Sequence, residues 1–532
     1  TNTGSVSGKD VVEIYGGAPY TSGGIEKPYK TLLGFAKTSL LKRGASETLT
    51  VDINPYYLAS FDYNDANSND FKGYELEAGN YTLYVSKDAH ESVNQCSLSL
   101  ASGYEYANDP VTKNAVKPLF DDCDDPLSTN MSRSDFNGSF PTTPTESERN
   151  VSEEFLNKLK STKTTNPLSV DKMPVTGNNS VTLDMYSMIG KSYDDQSWDT
   201  LLEKPTVDEM TNMYNTAAFK TAYMASINKP KTTDADGPQG FTNFMGDPTI
   251  YDTCSYASEP VVAATWNTEL AKEMGAAIGE EGLWGNVAGD GQPYSGIYAP
   301  GVNIHRSPFG GRNGEYYSED GLLSGKMASG FTQGAQSKGV YTYAKHYAFN
   351  EQETHRASNG DCSFLNEQSM REVYLRGFEI YVKEGKGTGI MTSFNRVGTT
   401  WAGGDYRLVT SVLRSEWGFE GSVICDFNTN NYMDARQMAY AGGDLNLETD
   451  STNPTDIAIL KEATHHVLYT VVNSNAVNKR VLGYEKAWWQ ILTIVVTCVA
   501  GAGALAWGGS VFYRIHKAKK KKALDNETSE IK

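Results

Sequence analysis

Cysteine is scarce in this chain: six residues in 532, at positions 96, 123, 254, 362, 425 and 498. None stands in CxxC spacing and they are too thinly spread for a disulfide scaffold, so neither zinc nor an oxidising compartment follows from them. Positive charge is also short, with 47 Lys and Arg against 65 Asp and Glu and a formal charge of −18. A net acidic surface repels phosphate backbones, which argues against nucleic acid as a partner. No Gly-rich phosphate loop follows a strand-like run, and no His/Cys/Asp cluster shows ligand spacing, so no cofactor and no metal are expected. What is present is apolar material, 39% hydrophobic and 11% aromatic, with a length that fits about three structural units.

One stretch stands apart. Ala487 to Tyr513 is 27 residues without a charge, edged by Trp488 and Trp489 at one end and Phe512 and Tyr513 at the other. At about 1.5 Å per residue it reaches roughly 40 Å, enough to cross a hydrocarbon core of about 30 Å with some tilt. Aromatic rings favour both membrane interfaces, and the RIHKAKKKK that follows suits a cytoplasmic flank. The tail from Arg514 has seven basic and three acidic residues, leaving −22 on everything before it. The positive-inside rule therefore predicts a single-pass cell-membrane protein with the acidic bulk extracellular and the C-terminus cytoplasmic. That topology requires an export signal, yet the chain opens TNTGSVSGKD without a Met or an apolar run, so a segment preceding Thr1 is expected.

Residues 1–105 read as a β-sandwich. ETLTVDI places Leu49, Val51 and Ile53 on one face, Tyr81, Leu83 and Val85 alternate likewise, and Gly-rich turns separate the runs. Residues 106–193 are rich in Asp, Ser, Thr, Asn and Pro, with one short helical stretch near 151–161, and read as an extended linker draped over its neighbours. From 194 to 486 the pattern alternates. Helical stripes at Trp266, Leu270, Met274 and Ile278 and at Met370, Val373, Tyr374, Phe378 and Tyr381 lie between buried-strand runs such as VYTYAKHYAF, TGIMTSFN and SVICDF. Strand–helix alternation with polar residues at the strand ends predicts a (β/α)₈ barrel of the TIM type, with its site at the C-terminal mouth. The transmembrane helix, 487–513, and a basic tail, 514–532, complete the expected α/β plus all-β organisation.

Residue clusters fall at those strand ends or in the loops after them: Asp236 in TDADGPQG, Arg312 in GGRNGEYYSED, Lys345 and His346, with Arg356, in AKHYAFNEQETHR, Met391 to Asn395 in MTSFNR and Asp426 in VICDFN. One mouth holding two carboxylates, three cations and an imidazole suits a polyhydroxylated neutral ligand, whose hydroxyls take charge-assisted hydrogen bonds. An Asp among cations stays ionised, as a nucleophile or a counter-charge to an oxocarbenium-like transition state must. Each residue also has a plainer use. Asp426 could cap a helix, Lys345 and His346 could form a salt bridge and a core hydrogen bond, and Arg312 and Asp236 could belong to turns. Recurrence at successive strand ends favours a site. Asp444, His465 and His466 read as structural.

These motifs, in this order, closely resemble the barrel domain of family 3 glycoside hydrolases, in particular their β-glucosidases, over residues 194–480. The match runs through TDADGPQG, APGVNIHRSPFGGRNGEYYSED, KHYAFNEQETHR, IMTSFNRVG, LRSEWGFEGSVICDF and AGGDLNLE. Residues 1–100, with TNTGSVSGKDVVEIY and APYTSGGIEKPYKTLLGFAKT, resemble the fibronectin type III-like domain of the same enzymes, with its first strand cut away. The resemblance implies retaining hydrolysis of terminal β-linked glucose from a β-glucoside or oligosaccharide. Asp426 would be the nucleophile and would form a covalent glycosyl-enzyme intermediate. Asp236, Arg312, Lys345, His346 and Arg356 would hold the sugar hydroxyls, Met391 would line the innermost subsite, and Phe427 would stack on the next sugar or aglycone.

The sequence departs from the family pattern at three points. Cys425-Asp426-Phe427 stands where the family usually has Ser-Asp-Trp, and Phe394 stands where it commonly has Tyr. The fibronectin-like domain precedes the barrel, which implies a circular permutation. The α/β sandwich that commonly supplies the acid/base Glu would then lie before Thr1, as a further domain or chain. Glu351, Glu353 and Glu448 are carboxylates near barrel motifs, and none of them is assigned as the acid. A non-catalytic carbohydrate-binding surface protein and a β-xylosidase are the alternative functions.

Overall fold

The computed structural model describes residues 1–124, 130–146, 150, 152–160, 166–168, 170–242, 253–285, 294–428, 431–447, 456–478 and 488–530. It divides into two compact units, Thr1–Arg480 and Val481–Lys532.

The first unit begins with antiparallel strands β1 (Val11–Gly17), β2 (Thr31–Lys37), β3 (Ser60–Asp62), β4 (Gly73–Leu76), β5 (Gly79–Ser86), β6 (Ser92–Leu100) and β7 (Tyr104–Tyr106). They form two sheets, ordered β2-β1-β5-β6 and β3-β4-β7. The alternation at Tyr81, Leu83 and Val85 falls within β5. The expected strand over ETLTVDI is absent. Residues 47–53 are outside every ladder, although Leu49, Val51 and Ile53 do line one apolar cleft with Val12, Ile14, Leu83 and Val85. Period-two alternation selects an extended chain with one apolar face, but a strand also needs a neighbouring backbone to pair with.

The sandwich and the segment after it are fastened to the rest of the unit by polar contacts. Glu372 accepts the Phe61 amide at 2.6 Å, and the Arg371 guanidinium stands 4.5 Å from the Phe61 ring centroid. Farther along, Asp109 pairs with buried Lys383, Thr112 donates its hydroxyl to the Glu416 carbonyl at 2.6 Å, and Asp122 pairs with Arg407 at 2.5 Å. The predicted short helix appears as α1 (Glu153–Lys160), with none of its residues buried.

Strands and helices alternate after α2 (Val207–Asn215). In chain order come β8 (Asp234–Asp236), α3 (Thr268–Trp284), β9 (Gly296–Tyr298), α4 (Gly321–Ser337) and β10 (Tyr341–Tyr347). Next are β11 (Cys362–Ser363), a π-helical turn at Met370–Tyr374 that leads into α5 (Arg376–Lys383), β12 (Gly389–Thr392), β13 (Arg396–Val397) and β14 (Thr400–Trp401). A π-helix at Arg407–Glu416, β15 (Ser422–Cys425), α6 (Ala435–Ala441) and α7 (Ile457–Val472) follow. Strands β8, β9, β10, β12 and β15 pair in parallel in that order, each step crossed by a helix.

The expected cylinder of eight strands is not seen among the described residues. Five strands form a partial barrel, extended by one parallel bridge between Ile424 and Leu445. Irregular backbone spans the open side: the Asn446 amide bonds the Tyr214 carbonyl and the Asp234 amide bonds the Phe219 carbonyl, both at 2.8 Å. The intervening TAAFKT has no run of alternating β-branched residues, so it satisfies these backbone groups singly instead of building a ladder.

The helical stripe at 266–278 needs correction. Trp266 precedes the helix cap Asn267, and Leu270 is 38% exposed. The buried face of α3 is Ala271, Gly275, Ile278, Gly279 and Gly282. A Cβ on Gly275 would stand 2.0 Å from the Phe331 carbonyl oxygen of α4, so close helix contact selects glycine where periodicity favoured large side chains. In the second unit, α8 (Trp488–Glu530) contains a stretch long and apolar enough to cross a membrane, and none of that stretch is buried.

Candidate active site

The sequence motifs converge on the C-terminal end of the parallel sheet. Asp236 is the last residue of β8, Lys345 and His346 lie in β10, Met391 lies in β12, and Asp426 directly follows β15. Parallel strands of one sheet run in the same direction and so end on the same side, and side chains 190 residues apart in sequence meet there. All eight expected residues, Asp236, Arg312, Lys345, His346, Arg356, Met391, Asp426 and Phe427, line one cavity of about 420 Å³. Phe219, Gly237, Thr242, Tyr298, Glu315, Phe394 and Leu447 complete its wall.

Asp426 is held at both oxygens. Its Oδ1 accepts the Phe427 amide at 2.7 Å and its Oδ2 accepts Arg356 Nη1 at 3.3 Å. Its backbone amide bonds the Thr392 carbonyl at 3.0 Å, which ties the end of β15 to β12. Only 14% of the Asp426 side chain is exposed, and that part faces the cavity.

His346 is buried and neutral. Burial, followed by the charges of Arg312, Lys345 and Arg356, holds its pKa well below the ordinary value. Its Nε2 lies 3.0 Å from Arg312 Nη1, and a guanidinium has only donors, so Nε2 must be the acceptor. The proton therefore sits on Nδ1, directed at the Tyr316 hydroxyl at 3.1 Å. Asn303 fixes the same residue from behind, accepting the His346 amide at 2.6 Å and donating to its carbonyl at 3.0 Å.

Glu315 was not among the expected site residues. Its two oxygens join Lys345 Nζ at 2.8 Å and Arg312 Nε at 2.6 Å. Burial alone would raise its pKa, but the two cations outweigh burial and hold the carboxyl below its usual range. The pair Arg312 and Glu315, three residues apart, was visible in GGRNGE, but only the fold adds Lys345. Behind it, Glu259 is fully enclosed and accepts the Gly301 amide at 3.0 Å, and burial pushes its pKa well above normal.

The other carboxylates near the motifs are placed as follows. Glu353 pairs with Arg356 Nε at 2.6 Å and stands 3.8 Å from Arg312 Nη1. Glu351 is buried away from the cavity against Asn303, where burial pushes its pKa up to about 7. Glu448 lies outside the described residues. Asp444 joins Arg414 at 2.6 Å and His466 at 2.8 Å in a buried cluster. The Cys425 thiol is buried and accepts the Leu447 amide at 3.1 Å, so it braces the cavity wall.

Residues 211–481 match the glycosyl hydrolase family 3 N terminal domain, and residues 10–89 match the fibronectin type III-like domain. A beta-glucosidase of Ruminococcus albus is 31% identical over 443 residues, which is 81% of this chain and 43% of that protein. Beta-glucosidase A of Butyrivibrio fibrisolvens is 30% identical over 487 residues, 87% of this chain and 54% of that one. A beta-glucosidase structure from Paenibacillus barengoltzii superposes with a TM-score of 0.66 at 25% identity, over 91% of this chain and 54% of the other. The chain thus spans about half the length of these relatives. Because the family model covers half the chain and takes in the strands that carry the cavity, this chain belongs to glycosyl hydrolase family 3.

Proposed function

We propose that this chain carries the nucleophile and glycone site of a retaining β-glucosidase-type hydrolase acting on terminal β-linked glucose. The observation that carries this reading is the position of Asp426: an ionisable oxygen beside Arg356, at the mouth of a cavity lined by Asp236, Arg312, Lys345 and His346. In this reading Asp426 Oδ2 attacks the anomeric carbon as the aglycone oxygen leaves with a proton from a general acid. Water then cleaves the glycosyl ester, giving up its proton to the same group acting as base. The cations and Asp236 hold hydroxyls of the sugar, Met391 lines its subsite, and Phe427 faces the leaving group.

The general acid is a separate matter. A retaining pair stands about 5–5.5 Å apart. Glu315 and Glu353 are both ion-paired to guanidinium groups, and neutral His346 presents an accepting nitrogen, which disfavours all three as donors. The proposed donor belongs to an α/β sandwich outside these 532 residues, and the roughly half coverage of the relatives supports that reading. The fibronectin-like match ahead of the hydrolase match supports a permuted domain order. The apolar stretch of α8 supports a single-pass anchor with its basic tail cytoplasmic.

The test is covalent labelling. A 2-deoxy-2-fluoro-β-glucoside with a dinitrophenolate leaving group needs little protonation and should modify the peptide that contains Asp426. If a folded sample takes up no label, or takes it up at another residue, the assignment is wrong.

A further inference from the structure

We infer that Glu353 and Phe394 are positioning residues that hold the Arg356 guanidinium beside Asp426 and set how tightly it engages that carboxylate. The inference rests on the reading of Asp426 as nucleophile. Among the described residues, Arg356 is the one side chain that donates a hydrogen bond to Asp426, and it does so at 3.3 Å. An arginine has a long, rotamer-rich stem, so a single contact of that length cannot fix its head group.

Two further contacts fix the head group, and a third group holds the backbone beneath it. Glu353 Oε2 takes the Nε edge at 2.6 Å, and the Phe394 ring lies under the guanidinium at 4.5 Å. The Tyr432 hydroxyl donates to the Phe394 carbonyl at 2.9 Å and lies 3.3 Å from the Arg356 carbonyl, so the backbones of both residues are tied to one group. Glu353 is itself steadied by Asn350 Nδ2 at 3.0 Å. With Nε committed to Glu353 and one face to Phe394, the Nη1 corner is directed at Asp426.

The unequal distances have a chemical consequence. A full guanidinium–carboxylate pair closes to about 2.7–2.9 Å and draws the oxygen lone pairs onto its donors. Glu353 holds that close contact in place of Asp426. The nucleophile is left oriented by a longer bond, with Oδ2 available to attack.

The experiment uses the complete 532-residue chain and the dinitrophenyl 2-deoxy-2-fluoro-β-glucoside, separating the maximal labelling rate from the inhibitor constant. E353A should lower the rate about 10- to 100-fold while changing the inhibitor constant less than about 3-fold. E353Q, which keeps an oxygen for Nε without the charge, should recover part of the loss, and F394L should lose about 3- to 10-fold. A crystal structure of the E353A chain should show Arg356 displaced from Asp426. Unchanged labelling rates in a labelled wild-type background overturn this inference and leave the nucleophile assignment standing. Loss confined to the inhibitor constant makes Glu353 a binding residue only, and also overturns it. Failure to label the wild-type chain removes the nucleophile assignment. Arg356 still 3.3 Å from Asp426 in the E353A structure overturns the positioning role whatever the labelling shows.

Discussion

His346 Nε2 and Asp426 Oδ2 stand 3.8 Å apart without a hydrogen bond between them. The nitrogen that faces the carboxylate is an acceptor already engaged by Arg312, so neither group can pass a proton to the other in this state. The pair is held close by its neighbours and has no direct bond of its own.

That arrangement carries a pH dependence. His346 is held neutral by burial and by three cations, so its folded pKa lies below the unfolded value of about 6.5. Between those values the unfolded chain binds a proton that the folded chain refuses. Stability is therefore full above about pH 6.5 and falls as pH drops below it, by about 1.4 kcal/mol per unit from this residue. Denaturant unfolding of wild type and H346Q from pH 7.5 to 5 should show a shallower decline in the variant; parallel curves would refute it.

Glu315 should matter to binding more than to chemistry. E315Q leaves Lys345 and Arg312 without their shared counter-charge, so both lose direction toward the cavity. We expect KM for an aryl β-glucoside to rise about 10-fold or more, with a smaller change in kcat. The reverse pattern would place Glu315 in the reaction itself.

Arg371 tests the joint between the sandwich and the barrel. Its side chain is 2% exposed, bonds Glu367 at 2.8 Å and Glu416 at 2.6 Å, and lies over Phe61. R371A would strand two buried carboxylates and should cost about 3–5 kcal/mol of stability. Urea unfolding measures the loss, and a change within about 0.5 kcal/mol would mean that the joint is held by packing alone.

The membrane reading is tested by extraction. The full chain should stay in the pellet after alkaline carbonate treatment, and deletion of residues 488–513 should release it. Impermeant amine labelling of sealed vesicles should reach Lys519 to Lys522 from one side only; release of the full chain by carbonate would reject the anchor.

Some of this protein was decided locally. Strand runs at 296–298, 341–347, 389–392 and 422–425 are short apolar segments ending in polar residues, and their periodicity and neighbouring helices were enough to foresee a parallel sheet with a polar mouth. Asp236, Lys345, His346, Met391 and Asp426 follow from the same rule, because each lies in or directly after a strand, whereas Arg312 and Arg356 lie in the connections after β9 and β10. The 47–53 segment misled because its side chains obey strand alternation while its backbone has no pairing neighbour, a condition that no local pattern contains.

Tertiary structure decided the rest, for physical reasons. The partial barrel is closed by single hydrogen bonds through 214–219, a result of which chain ends happen to meet. The glycine face of α3 exists because another helix approaches it. The proton on His346 sits on Nδ1 because a distant Arg312 needs an acceptor, and Glu315 enters the site because Lys345 arrives from another strand. Sequence periodicity reports what one segment does to itself; charge state, tautomer and closure depend on what folding brings beside it.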